Sequence, residues 1–261
     1  MPQQRLVTPA VVVRRYSLAE SDRIVVLFTP HDGLLRAVAK GQKRSQKRFA
    51  GVVDLLYLLE VDVAARRGEL LRLDAVRLLD PFAPLAADLM LYAAACHLAE
   101  TAVAFATENH SDPEAFTALV AGLDALCRGE DPGKVSRIVE YFTLRAAGLA
   151  PRLDACALTG RRLAPNEAAA FEPRHGGVVA ADRASPDALP LPAGDRGALL
   201  ELEATDVAGA LAQSLSPAQA RALRAPLSAM IAYHAGRAGK TRPFAEAAAR
   251  FLSERRMKDE G

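Results

Sequence analysis

The chain has no tryptophan, and only 5% of its 261 residues are aromatic. A protein so poor in flat side chains has few to spare for stacking on bases, so any nucleic-acid contact it makes is expected to fall mainly on phosphate. Cysteine is scarce too. Cys96, Cys127 and Cys156 lie far apart with no CxxC pair, too few and too scattered for a disulfide framework, and they suit a reducing cytoplasm. No uncharged apolar run approaches the roughly 18 residues of a membrane span, and no N-terminal stretch reads as a signal peptide. Catalytic signatures are also missing. His31, His97, His110, His175 and His234 form no HExxH or HxH spacing, and there is no GxxxxGKS/T or GxGxxG phosphate loop. His97 directly follows Cys96, but neighbours on a helix point apart, and apolar helical cysteines are by default buried structural thiols. These absences point to a binding protein rather than an enzyme, with no cofactor and no membrane partner.

What is present is an uneven distribution of charge. The net charge is only +2, yet residues 1–80 hold 14 Lys+Arg against 9 Asp+Glu, and the remainder holds 19 against 22. A basic front part suggests an anionic partner. Between Gly33 and Val53 there are six cations, Arg36, Lys40, Lys43, Arg44, Lys47 and Arg48, and no carboxylate. Such a cluster neutralises several phosphates and gains affinity by releasing condensed counterions.

The first 80 residues read as five short strands, at 11–13, 23–29, 34–40, 55–64 and 70–79, separated by turn or polar segments and by the basic loop. With no helical spacer among them, they fit a small antiparallel barrel. In the third strand, Leu35, Ala37 and Ala39 share one face while Arg36 and Lys40 share the other with Leu34 and Val38. Pro81-Phe82-Ala83-Pro84 breaks this pattern. Helical spacing follows at 86–107, 113–127, 133–147, 195–212, 217–236 and 243–258. Asp112-Pro113, Asp131-Pro132 and Ser216-Pro217 have the order of a helix cap followed by a first-turn proline. Residues 149–195 interrupt the helices: two apolar pieces flank Pro173-Arg174-His175-Gly176-Gly177 as in a hairpin, and 185–192, with three prolines, reads as a linker. The expected class is therefore α+β, with a barrel over 1–80 and an all-α domain over 81–261 that carries an insertion at 149–195.

Several pieces taken in order resemble the bacterial recombination mediator family RecO. They are Glu20-Ser21-Asp22, Thr29 with Gly33, Ala39-Lys40-Gly41, Asp80-Pro81-Phe82, Arg137 with Glu140, Gly148, Pro151, Leu153 and Cys156, Gly176-Gly177-Val178, and Gly239-Lys240 with Arg242. The resemblance covers nearly the whole chain. It implies a five-stranded OB-fold barrel followed by an all-α domain with a zinc-finger-like insertion. It further implies binding of single- and double-stranded DNA, strand annealing, and work with RecR. Recognition of the C-terminal tail of single-stranded-DNA-binding protein (SSB) follows as well, helping RecA replace SSB at the nucleoid. The insertion departs from the pattern. Cys156 stands at the first of four ligand positions, but Thr159, Ala180 and Arg183 stand at the others. A structural zinc needs four thiolate or imidazole ligands, and His175 does not make up the set, so no zinc is expected and the insertion should be held by its own apolar residues.

The OB-fold reading assigns DNA contact to Arg36, Lys40, Lys43, Arg44, Lys47 and Arg48, with Arg14, Arg15 and Arg72 around them. Phe49 and Tyr16 are the candidates for stacking, each equally suited to packing in the barrel. Arg137, on an apolar helix, is the candidate to hold the carboxylate of an SSB tail, with Arg145 and Arg152 as further candidates. Lys240 and Arg242 are additional cations between helices. Two other readings stay open: a protein-interaction scaffold whose basic loop is merely solvated, and an RNA-binding factor, since the fold alone does not tell DNA from RNA.

Overall fold

The computed structural model describes residues 5–17, 22–39, 52–64, 70–213 and 215–236. The basic loop at 40–51, the stretch 65–69 and everything after 236, including the expected helix at 243–258, lie outside them. Five strands come first: β1 (Arg5–Ser17), β2 (Arg23–Thr29), β3 (Gly33–Ala39), β4 (Leu58–Ala64) and β5 (Leu71–Asp80). They pair in the cyclic order β1-β2-β3-β5-β4, with β4 returning to the long β1. The β3–β5 seam is parallel and registered only at Ala37↔Leu71 and Val38↔Arg72, so the barrel is barely sealed there. The fourth strand starts three residues later than its apolar run because Leu56 adopts a positive φ of 69° in a turn.

Alternation decides what each strand buries. Val12, Val25, Leu27, Leu35, Ala37 and Ala39 fill the barrel, as the pattern of β3 leads one to expect. Their neighbours Val11, Val26 and Phe28 point outward and join the core of the helical part. That core is built on α1 (Pro84–Ala87), α2 (Leu89–Ala102), α3 (Pro113–Cys127) and α4 (Pro132–Ala146). The three expected caps form: Asp112 accepts from Ala115 N, Asp131 from Lys134 N, and Ser216 makes a capping box with Gln219.

The helical stretches are shorter than the periodicity suggests. The run at 86–107 is cut at Asp88, which turns extended to cap α2, and ends at Ala102. The run at 195–212 is α5 (Ala193–Glu203) and α6 (Val207–Ala212), with Asp206 capping the second. The run at 217–236 is α7 (Pro217–Ala222) and α8 (Arg224–Ala235). Pro226 has no N–H to continue the ladder back across Leu223.

The insertion also differs from expectation. Its hairpin, β6 (Ala169–Glu172) and β7 (Gly177–Ala180), is present, but the supposed linker supplies a third strand, β8 (Leu189–Leu191), on the other side of β6. Pro190 is tolerated there because β8 is an edge strand. Nor does the insertion have a core of its own: Leu153, Phe171, Val178 and Leu191 belong to the same cluster as the helices. Arg196, 1% exposed, donates to the carbonyls of Leu153, Ala164 and Pro165 and ties α5 to the insertion.

Barrel and helices meet where the β2–β3 turn enters the segment after α2. Leu34 N donates to Thr107 O, Asn109 N to Asp32 O and Asp112 N to Pro30 O, at 2.9–3.0 Å. Gly33 has φ +63°, and a Cβ there would lie 2.1 Å from Thr107 O and 2.7 Å from His110 O. Behind this contact the rings of Phe28 and Phe116 pack 5.8 Å apart.

Candidate functional site

The described DNA-contact candidates lie on the barrel. Register places Arg14 and Arg36 on either side of Val26, so both stand on the outer face of the β1-β2-β3 sheet. Arg72 on β5 lies beside Val38 of β3, on the same face. Most of these cations already have a carboxylate. Arg36 Nε is 3.0 Å from Glu108, Arg15 is 2.7 Å from Asp54 and Arg72 is 2.5 Å from Asp74. On the far side of the barrel, Arg77 pairs with Glu60 and Arg5 with Asp62, and those hydrogen bonds hold both carboxyls below their usual range. Exposed pairs of this kind are each worth at most about 1 kcal/mol, so a phosphate can compete for the arginine. Lys40, Lys43, Arg44, Lys47 and Arg48 lie outside the described residues.

Arg137 sits elsewhere and not as an ordinary exposed helix arginine. Its side chain is 6% exposed and donates to Glu140 Oε1 at 2.8 Å. Glu140 is itself 1% exposed, and the same oxygen is 3.1 Å from His97 Nε2 and within 3.4 Å of the Ser228 hydroxyl. This buried cluster forms the base of a groove of about 370 Å³ between α2, α4, α7 and α8. Met90, Ala94, Pro132, Pro217 and Ala220 provide apolar lining, and Arg221 and Arg224 stand at the rim with Arg137 below. Among the described residues, three arginines and one histidine line the groove with a single rim carboxylate, Asp131. Chemically, the groove suits a short segment with an apolar residue next to carboxylates.

The structure does not bring Arg145 or Arg152 to this groove. Arg145 bonds Glu114 and the Thr205 carbonyl and lies 4.2 Å from the centre of the Phe142 ring, joining α3, α4 and the α5–α6 turn. Arg152 is exposed and sits 3.5 Å from Asp154 in the insertion. Its backbone, not its side chain, is held there, by exchange with Gly176 and Val178. Conversely, Arg221 and Arg224 were not singled out from the sequence, and His97 was weighed only as the neighbour of Cys96. Arg224 and Ser228, four residues apart, fall on one face of α8, which is the readable signal; Arg221 comes from the end of α7.

Cys156 is fully buried, and the Ala180 amide donates to its sulfur at 3.4 Å. Burial pushes this thiol up, but hydrogen bonds from the Thr159 hydroxyl and the amides of Ala180, Thr159 and Leu158 outweigh that and hold it at about 7. Among the described residues no group of three or more His, Cys, Asp or Glu is placed to hold a metal ion. No helix among them is long and apolar enough to cross a membrane.

Comparison with known proteins gives two family matches, Recombination protein O N terminal over residues 3–82 and Recombination protein O C terminal over residues 86–243. The chain is 38% identical over 243 residues to a DNA repair protein RecO of Anaeromyxobacter sp. (strain K), spanning 92% of this chain and 95% of that one. It is 34% identical to the DNA repair protein RecO of Rubrobacter xylanophilus, over 88% of this chain and 96% of the relative. A 35% identity to that of Myxococcus xanthus covers 65% of this chain.

Proposed function

The chain belongs to the recombination protein O family, and on that premise we propose that it is a non-enzymatic DNA-repair mediator. In this reading the barrel, over 1–80, is an OB-fold that binds single- and double-stranded DNA and anneals complementary strands. Support comes from the strand order with its parallel β3–β5 seam and from the cations on the outer face of β1, β3 and β5. The helical domain, over 81–261, takes the acidic C-terminal tail of SSB, and with RecR the protein helps RecA replace SSB in the nucleoid. The 149–195 segment is a zinc-finger-like insertion that has exchanged metal ligands for packing.

One observation carries this reading furthest: a groove with an apolar lining in which Arg137, Arg221 and Arg224 outnumber the carboxylates. A peptide ending in acidic residues and an aromatic would pair its charges with the rim and bury the ring. The test is fluorescence anisotropy of a labelled SSB-tail peptide. Arg221→Glu with Arg224→Glu is expected to weaken binding about thirtyfold, the size of two contacts of roughly 1 kcal/mol each. Unchanged affinity would remove the groove from the mechanism. Annealing of SSB-coated complementary strands without ATP tests the wider reading.

A scaffold role draws on a separate observation. Arg5, Arg15, Arg36, Arg72 and Arg77 of the barrel are each already paired with a carboxylate. That reading requires nucleic-acid binding that is absent or insensitive to salt, whereas the mediator requires affinity that falls steeply as salt rises.

A further inference from the structure

Tyr16 is 51% exposed, while the other described barrel aromatics, Phe28 and Tyr57, are packed against core clusters. Its position is set by register. Tyr16 pairs with Ile24, Ile24 with Val38, and Val38 with Arg72, one row across β1, β2, β3 and β5. The next row, on the same face, is Arg14, Val26 and Arg36. The ring therefore stands on the outer sheet face at the β1 end of its row, with Arg14 two residues away on the same strand and Arg36 and Arg72 farther across the sheet. The core of the helical part takes in Val11, Val26 and Phe28 of this face, and Val38 is only 2% exposed, whereas Tyr16 at the end of its row stands open. Among the described residues Arg14 makes no ion pair, unlike Arg36 and Arg72.

We infer that Tyr16 is a stacking platform for an unpaired base of single-stranded DNA, with Arg14 beside it and Arg36 and Arg72 farther along the face as phosphate contacts. The inference rests on the DNA-binding reading above and deepens it, because it assigns a base contact to one of the two stacking candidates in a protein whose composition suggests mainly phosphate contacts. Charge complementarity favours a polyanion, and an exposed ring beside cations offers what a single strand has and a duplex hides: the flat face of a base. Duplex bases are already stacked on one another, so Tyr16 discriminates between the two forms of DNA while the arginines do not.

The experiment measures binding of three labelled ligands at one salt concentration: oligothymidylate, an abasic sugar-phosphate strand of equal length, and a duplex. The native chain is expected to bind oligothymidylate about tenfold more tightly than the abasic strand, the size of one base–aromatic stack. In Tyr16→Ala that gap closes, while affinity for the abasic strand and the duplex stays within about twofold. Tyr16→Phe keeps the gap and rules out a mere folding defect. A native chain that binds oligothymidylate and the abasic strand equally, or a gap that survives Tyr16→Ala, overturns the platform but leaves phosphate binding standing. Failure to bind any of the three overturns the DNA-binding reading and the platform with it.

Discussion

The barrel face and the helical groove both present arginines, but they hold them in opposite ways. On the barrel, Arg36 and Glu108 are 59% and 49% exposed, and Arg72 and Asp74 are 45% and 27% exposed, so water screens both pairs. In the groove, Arg137 and Glu140 are 6% and 1% exposed, so that pair is desolvated. A screened pair costs little to break and leaves its arginine available to a phosphate. A desolvated pair fixes the guanidinium in one place and is expensive to disturb. The barrel is thus suited to loose, sliding contact with a polyanion, and the groove to a ligand of defined shape.

The sharpest way to break this contrast is to remove the buried carboxylate. Glu140→Ala takes away the acceptor shared by Arg137, His97 and Ser228. It is expected to destabilise the fold by about 3–5 kcal/mol, the cost of leaving one side of a buried ion pair uncompensated. Asp74→Asn, the matching change on the barrel, should shift stability by less than about 1 kcal/mol. Urea denaturation of both variants reads the difference directly, and equal shifts would mean the groove cluster is not held by charge. Next in size is Gly33→Ala. Its methyl meets the Thr107 and His110 carbonyls, and the positive φ disfavours any side chain. A loss of roughly 2–4 kcal/mol is expected from strain and displaced backbone, with the barrel's own interior, which does not include Gly33, left intact. A variant as stable as the native chain would show that the turn does not anchor barrel to helices.

These two regions were also unequally legible in the sequence. Period-two alternation placed Leu35, Ala37 and Ala39 inside the barrel and Arg36 outside, because a strand's faces follow from position alone. The caps at Asp112, Asp131 and Ser216 were readable for the same reason, since each acts within four residues. The groove is different in kind. Arg137 and Glu140 share a helix, but His97 and Ser228 reach them across separations of 43 and 88 residues, and no local pattern encodes that meeting. Arg145 met the same limit: it stood beside Arg137 as a further candidate for the SSB tail, and a bond to Glu114, 31 residues away, holds it elsewhere. Proline misled once, at Pro190, where three prolines suggested a linker and an edge strand tolerates one.

The smallest expected effect probes whether screened pairs on the barrel hold cations in reserve. Glu108 sits on the segment after α2 and faces Arg36 across the domain contact, 3.0 Å from its Nε. Glu108→Gln removes the charge paired with Arg36 while leaving the side chain's length. Stability should change by less than about 1 kcal/mol, because both partners are exposed. Single-stranded DNA affinity at low salt should rise about two- to fivefold, the conversion of roughly 0.5–1 kcal/mol no longer spent on breaking the pair. The gain should shrink as salt is raised, since the Debye length falls from about 10 Å at 0.1 M to about 3 Å at 1 M. Combining Glu108→Gln with Arg36→Ala separates the sources of such a gain. If the increase survives without Arg36, the carboxylate acts through the general field of the face. If it vanishes, Arg36 itself meets the phosphate, and the helical part tunes DNA affinity by lending the barrel one acidic residue.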